Sequence, residues 1–333
     1  MRAAHPRASV LLLAYRQAQT VAPAVESLFE QDVDEPIEIL LSDDGSDDDT
    51  HARLVAAARR YRGPHQVRVL RNASNLGIAR HYNRLVGEAR GELLVTAAAD
   101  DVSAPQRLRR LLAAWDDSHC QADLISSDLW SIDGQGRTGA AIVVDRLDQW
   151  HSVQDWCVHR PYIVGAGHAF TKRLFRRFGP LASDLVNEDQ ILTLRALMSG
   201  GALTVPEPLV GYRSGGVSAP VVCRSGMDFL TYHEALYRRR RAELRQMLAD
   251  AELGGCLRDV EAALRSSWDR NEFIGQLLRG DRALWRRVLR DDVEPAAWRL
   301  RKCLYFGLPG AASWVARMQA LRRRVGAPRF VSA

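Results

Sequence analysis

The sequence predicts an α/β fold, with a mainly parallel central sheet flanked by helices and a helical, basic C-terminal extension. Three observations predict it. Short apolar runs alternate with segments of helical period through residues 8–125, two of those runs end in adjacent aspartates, and from Met227 onward the pattern turns helical almost throughout. Strands alternating with helices at this spacing imply βαβ units, whose strands pair in parallel.

The elements follow in order. Residues 9–14, with Val10-Leu11-Leu12-Leu13-Ala14, form an unbroken apolar run and read as a buried strand. Residues 21–30 place Val21, Val25, Leu28 and Phe29 on one side of a helix. Ile37-Glu38-Ile39-Leu40-Leu41 is a second strand, stopped by the turn signal Asp43-Asp44-Gly45-Ser46. Asp49 or Thr50 can cap a helix over 51–61. A short strand over 66–71, a helix over 78–89 and a strand over 93–98 come next. Pro105 then opens a helix to Trp115, since proline is at home in a first turn. After a strand at 124–127, the stretch to Arg160 reads as turns and loops, including Asp133-Gly134-Gln135-Gly136. Helices are expected near 173–178 and 188–198, with short strands at 203–205 and 209–212. Gly254-Gly255, Gly280 and Pro295 divide the C-terminal helical region.

Composition narrows the class. The chain has 333 residues, 47% hydrophobic and 26% charged, as ordinary soluble proteins do. There is no uncharged apolar run of about 18 or more residues, so no transmembrane helix is expected. The N-terminal apolar run leads straight into Tyr15-Arg16 and reads as a strand rather than a signal peptide. Five scattered cysteines without Cys-x-x-Cys spacing argue for a reducing compartment and against structural zinc. The expected location is cytoplasmic. The net charge of +6 is uneven: from Arg224 onward there are 22 Lys+Arg against 13 Asp+Glu, and before it 24 against 27. Arg238-Arg239-Arg240-Arg241 and Arg322-Arg323-Arg324, with Leu304-Tyr305-Phe306-Gly307-Leu308 and Trp314-Val315 nearby, would suit peripheral contact with the anionic inner face of a membrane. A solvated helix face accounts for them equally well. No nucleic-acid-binding motif is visible in the tail, so nucleic acid is the disfavoured partner.

The chemistry centres on the aspartates. Asp43-Asp44 and Asp100-Asp101 should emerge at the carboxyl edge of one sheet, where open α/β sheets bind ligands. Carboxylates converging there repel one another unless a divalent cation or polar ligand groups offset the charge. A metal–nucleotide complex is therefore the leading candidate.

Several linked segments carry a resemblance. Residues 9–16 look like an opening strand and its "P-T-Y-N" turn. Residues 38–50, ending Asp43-Asp44-Gly45-Ser46-Asp47-Asp48-Asp49-Thr50, are close to "V-D-D-G-S-T-D-D-T". Asn75-Leu76-Gly77 through Asn83 matches "N-x-G-x-x-x-A-x-N" loosely. Gly91-Glu92 followed by Ala98-Ala99-Asp100-Asp101 matches "G-E-Y … D-A-D-D", Glu188-Asp189 matches an acceptor-side "E-D" helix, and residues 206–213 match a segment ending in "Y-R". Over residues 8–219 the chain resembles inverting glycosyltransferases of family 2, which have the GT-A fold. Two departures stand out. Ala98 replaces the first Asp of the usual "D-x-D", and the histidine often found two residues after Tyr212-Arg213 is replaced within residues 214–218.

The resemblance implies a catalytic domain over 1–223, with a nucleotide-sugar half at 8–125 and an acceptor half at 126–223, followed by a basic helical region at 224–333. It implies a nucleotide-sugar donor, a UDP-sugar being favoured, bound by Ala14, Tyr15, Asp43, Asp44, Asn75, Gly77, Asp100 and Arg213. Mn²⁺ or Mg²⁺ would be held by Asp100 and Asp101. Asp189, preceded by Glu188, would be the catalytic base, and Gly167 and His168 would border the acceptor, a surface glycan or lipid-linked oligosaccharide. Bland readings stand beside these: Asp-Gly turns are common, and acids gather at helix N-termini for dipole reasons alone. The rivals are a nucleotidyltransferase, although residues 13–17 lack its glycine-rich phosphate loop, and a non-catalytic nucleotide-sugar-binding protein on a decayed transferase scaffold.

Overall fold

The computed structural model describes residues 5–213, 225–279 and 295–307. The chain divides into two compact units, Met1–Ser214 with Gln246–Val260, and Gly215–Arg245 with Glu261–Ala333. Residues 246–260 therefore belong with the first unit.

The first unit is built on one sheet in the order β3-β2-β1-β4-β8-β6-β9-β5, with β7 paired to β6. Its strands are β1 (Ala8–Ala14), β2 (Glu38–Asp43), β3 (Gln66–Arg71), β4 (Leu93–Ala98), β5 (Val102–Ser103), β6 (Leu124–Ile132), β7 (Thr138–Ile142), β8 (Ala169–Thr171) and β9 (Ala202–Arg213). Between them run α1 (Val21–Phe29), α2 (Thr50–Arg60), α3 (Ile78–Glu88), α4 (Arg107–Asp117), α5 (Val153–Val158), α6 (Lys172–Phe178) and α7 (Asp189–Leu197). β1 pairs in parallel with β2 and β4, β2 with β3, and β6 with β9. The continuous apolar runs are explained by burial on both faces: Val10, Leu11, Leu12, Ile39, Leu40, Leu41, Leu93, Leu94 and Val95 are all sequestered from solvent. Val21, Ala24, Val25 and Leu28 of α1 and Leu108, Leu111, Leu112 and Trp115 of α4 join the same core.

The fold is of the GT-A type expected, and most predicted elements fall within a residue or two of their places. The differences have physical reasons. The stretch expected to be loop is structured: β6 runs on to Ile132, and Asp133-Gly134-Gln135-Gly136 is the turn of a hairpin into β7, its Asp133 carboxylate accepting from the amides of Gln135 and Arg137. Helix α5 follows, opened by a reciprocal Ser152/Asp155 cap. The two short strands near the end are one strand, β9. Its prolines sit in an irregularity where β6 steps from Ser127↔Val205 to Asp128↔Pro208, the kind of place where a strand tolerates proline. At α2 neither Asp49 nor Thr50 provides a side-chain cap bond. Asp48 does that work, accepting from the Thr50 amide and hydroxyl.

The C-terminal helices are α8 (Gly226–Gly254), α9 (Leu257–Leu278) and α10 (Ala296–Gly307). In the second unit Phe229 is buried against Tyr305 and Phe306. Of the run Arg238–Arg241, only Arg238 and Arg239 are exposed, and Arg238 pairs with Glu234. Arg240 pairs with Glu243, and Arg241 with Glu272. Arg322–Arg324, Leu308, Trp314-Val315 and the stretch 214–218 lie outside the described residues. Among the described residues, no helix is long and apolar enough to cross a membrane.

Candidate functional site

Strand register brings the first acidic pair and the β1 turn together. Ala14, the last residue of β1, lies opposite Asp43, the last of β2, and the Ala99 amide donates to the Leu13 carbonyl. With about 4.8 Å between neighbouring strands, the ends of β2, β1 and β4 span about 10 Å. Tyr15 leaves this row exposed, with the Arg16 guanidinium 5.3 Å over its ring. Arg16 adopts φ +52 and is held there by Asp47, which accepts from both Nε and Nη2 at 2.8 and 2.7 Å. An aromatic face beside the strand ends is a stacking surface for a planar base.

Asp43 is fully buried, paired with Arg71 at 3.3 Å and accepting from the Ser46 amide. Asp44 is engaged by the next loop: it accepts from Asn72 at 2.5 Å and from the amides of Leu76 and Gly77 at 2.9 and 3.0 Å. Its carboxylate therefore shapes the loop that presents Asn75, which is exposed, and Gly77, which starts α3 at φ +80. Gly45 is required where it stands. At φ +71, any Cβ would come within 2.6 Å of the Ser74 carbonyl carbon.

The second pair follows β4 directly. Ala98 ends the strand, and Asp100 and Asp101 lie beyond it. Asp100 is raised from its ordinary pKa by burial, against hydrogen bonds that include one from the Gln17 side chain. Because Gln17 also accepts from the Tyr15 amide, its side-chain amide links the β1 turn to Asp100. Asp101 is buried and pushed up to about 7, by desolvation first and by the neighbouring Asp100 charge, while a hydrogen bond from the Arg213 amide at 2.9 Å opposes the rise. Arg213 does not extend outward. Its Nε donates to the Asp100 carbonyl at 3.0 Å and its Nη1 to the Asp133 carbonyl.

Beneath this pair lies a group that sequence reading missed. Arg107, at the start of α4, is one of the largest fully buried side chains. Its Nη1 donates to Ser103 at 3.0 Å, and its Nη2 to the carbonyls of Thr96 and Ala166 at 2.8 and 2.7 Å. Burial draws its pKa down to about 10, and the Asp101 charge opposes that. Asp101, Ser103, Arg107, Ala97, Ala98 and Ala166 share a small pocket. In sequence Arg107 is one of several arginines of an amphipathic helix, and its place on the buried side was the only signal.

The third acidic pair stands at the start of α7, Glu188 preceding it and Asp189 as its first residue. Glu188 is only half-buried by surface, yet the protein around it and the Asp189 charge push its carboxyl up to about 8. Gly165 faces Glu188, whose Oε1 lies 3.1 Å from where a Cβ on that glycine would be. A Cβ at Gly167 would come 2.9 Å from the Ser127 carbonyl oxygen. Tyr82 of α3 feels the charges of Glu188 and Asp189, and its hydroxyl is 2.7 Å from that of Thr96 on β4. Thr96 in turn donates its amide to the His168 carbonyl at 3.0 Å. The His168 ring is buried and held neutral, its pKa drawn down to about 3 by desolvation and the facing Arg107, and neither ring nitrogen has a hydrogen-bond partner among the described residues.

Asp100 and Asp101 suit a hard divalent cation as donors. Two adjacent carboxylates are the oxygen ligands such an ion prefers, with diphosphate and water completing the shell, and their mutual repulsion is what a cation would relieve. Among the described residues no group of three or more His, Cys, Asp or Glu offers an all-protein site.

Residues 9–155 match the family described as Glycosyl transferase family 2. The succinoglycan biosynthesis protein ExoO of Rhizobium meliloti (strain 1021) is 32% identical over 227 residues, 64% of this chain and 63% of ExoO. EpsE of Bacillus subtilis (strain 168), a putative glycosyltransferase by name, is 27% identical over 138 residues, 41% of this chain and 48% of EpsE. The chain thus spans less than two thirds of either relative. S. aureus TarS 1–349 in complex with UDP-GlcNAc superposes with a TM-score of 0.54 at 16% identity, over 97% of this chain and 93% of that one. The mannosyltransferase PcManGT of Pyrobaculum calidifontis, in complex with GDP-Man and Mn²⁺, gives 0.51 at 18% identity, over 96% and 88%. At these identities the likeness is one of fold.

Proposed function

We propose that this chain, whose residues 9–155 match glycosyl transferase family 2, moves one sugar from a nucleotide-sugar donor to a hydroxyl of a surface glycan or lipid-linked oligosaccharide, with inversion. The observation that carries this is the coupling of two acidic sites to one strand. Asp100-Asp101 follow the end of β4, while Glu188 lies against Gly165, in the turn whose next residue, His168, accepts from the Thr96 amide of that strand. A donor site and a base held on one framework are what in-line transfer needs.

In this reading Tyr15 stacks on the base, Ala14 and Asp43 line the nucleoside pocket, and Asp44 holds the loop that offers Asn75 and Gly77. A UDP-sugar is favoured, supported by the TarS complexes with UDP and UDP-GlcNAc. Asp100 and Asp101 would hold Mn²⁺ or Mg²⁺, which when bound supplies positive charge against the diphosphate leaving group. Asp189 takes the proton of the acceptor hydroxyl. The hydroxyl oxygen bonds to the anomeric carbon as the bond to the diphosphate breaks, and the electron pair leaves with the nucleotide. Glu188, which keeps its proton to about pH 8, limits the negative charge beside that base. Arg213 positions Asp100 and Asp101 through its backbone amide and guanidinium. The name of ExoO, a succinoglycan biosynthesis protein, supports a glycan acceptor. We place the enzyme in the cytoplasm, with the exposed Arg239 the residue of that run for a peripheral contact with anionic lipid.

Calorimetry of UDP, GDP and dTDP, each with and without Mn²⁺, tests the proposal. One nucleotide should bind in a metal-dependent way, and Asp100→Ala and Asp101→Ala should abolish the metal dependence. A folded protein that binds none of them would refute it.

A further inference from the structure

We propose that Arg107 is a positioning residue that sets the spacing between the donor-side acid pair and the acceptor-side carboxylates; the proposal rests on the transferase reading above. Arg107 touches neither pair directly, but it ties together the three backbone pieces that carry them. Its Nη1 bond to Ser103 anchors the strand that follows Asp101. Its Nη2 is shared between Thr96 of β4 and Ala166 of the turn Gly165–Gly167. That turn is the wall against which Glu188 packs, since a Cβ at Gly165 would meet the Glu188 carboxylate at 3.1 Å.

Thr96 is the junction. Its carbonyl accepts from Arg107, its amide donates to His168, and its hydroxyl meets Tyr82, which stands within the field of Glu188 and Asp189. One planar guanidinium can satisfy three acceptors at once because its donors lie in a rigid fork. A lysine at the same place keeps the charge and loses the fork. The Nε of Arg107 has no partner among the described residues, so a buried cation is kept here although not all its donors are used. A charge so placed is costly, and a well-packed apolar side chain is often its equal in stability, so its retention here points to the geometry it fixes.

The test uses the full chain and the nucleotide sugar that wild type turns over among UDP-GlcNAc, UDP-glucose and GDP-mannose, followed as nucleotide release. Arg107→Lys and Tyr82→Phe are compared with wild type in Tm, in nucleotide affinity by calorimetry with Mn²⁺, and in KM against kcat. The expected signature is affinity and KM within about threefold of wild type and kcat lowered about 10- to 100-fold, as a misplacement near 1 Å produces. Loss of affinity in step with kcat would make Arg107 a donor ligand and overturn the proposal. A lowered Tm with kcat intact would make it a purely structural residue and overturn the proposal as well. Should Arg107→Lys not fold, Tyr82→Phe decides, because it removes only the Thr96 link; an unchanged kcat there overturns the proposal. If wild type turns over none of the three sugars and binds no nucleotide, it is the transferase reading that has failed.

Discussion

The ion pair Arg195–Asp250 offers the sharpest test of how helix α7 is held. Both side chains are buried, 0% and 1% exposed. Asp250 of α8 accepts from Arg195 Nε and Nη2 at 2.7 and 2.9 Å, and from Gln246 at 2.9 Å. The guanidinium also donates to the Gly179 carbonyl at 2.9 Å and lies 5.6 Å over the rings of Phe175 and Phe178. Asp250→Ala strands a buried cation, and breaking such a pair costs about 3–5 kcal/mol. For a unit of this size, that loss lowers Tm by about 6–20 °C. The double replacement Arg195→Met/Asp250→Leu removes both charges and should recover most of the loss, because a well-packed apolar pair of similar volume is close to neutral. Urea unfolding of wild type, Asp250→Ala and the double variant gives the numbers. A cost under about 1 kcal/mol for Asp250→Ala would place the pair in the range of solvent-exposed bridges and refute the reasoning. Below its unfolding range, Asp250→Ala should still bind nucleotide, since neither residue of the pair is among those proposed to hold the donor.

Further outcomes follow from the same geometry. Glu188 is raised by burial and by Asp189, so the native state keeps a proton that the unfolded chain releases. Its contribution is fully present below about pH 4.5 and is lost as pH rises through about 8. Glu188→Gln should therefore raise Tm relative to wild type more at pH 8.5 than at pH 5; equal shifts at both would contradict this. Tyr15→Ala should weaken nucleotide binding about 3- to 10-fold, the worth of one stacking contact, while Tyr15→Phe leaves it nearly unchanged by calorimetry. Asp44→Ala leaves the Asn72 amide and two backbone donors without their acceptor and should cost about 2–4 kcal/mol in denaturant melts. Gly45→Ala forces a Cβ against Ser74 at positive φ, and should lower Tm more than the same change at Gly87, where a Cβ meets nothing within 4 Å.

The alternation of strands and helices, both acidic pairs at strand ends and the acids opening α7 were legible in the sequence. Each is written in local periodicity or in a short motif: Val10–Ala14 and Leu93–Ala98 are apolar because they are buried on both faces, and Asp43, Asp44, Asp100 and Asp101 follow where such runs end. What the tertiary structure alone decided is pairing at long range. Nothing local marks three residues, Ala169–Thr171, as the antiparallel strand that joins β4 to β6, or Pro206–Pro208 as the irregular middle of one strand. Nor does the sequence show what encloses Arg107 and Arg195, both buried; helical period puts Arg107 on the core side and says nothing of its partners. Which arginine is enclosed depends on the carbonyls and carboxylates that arrive from residues 96, 166, 179 and 250. Those partners become neighbours only once the sheet has closed, and a buried charge is tolerated only when such partners surround it.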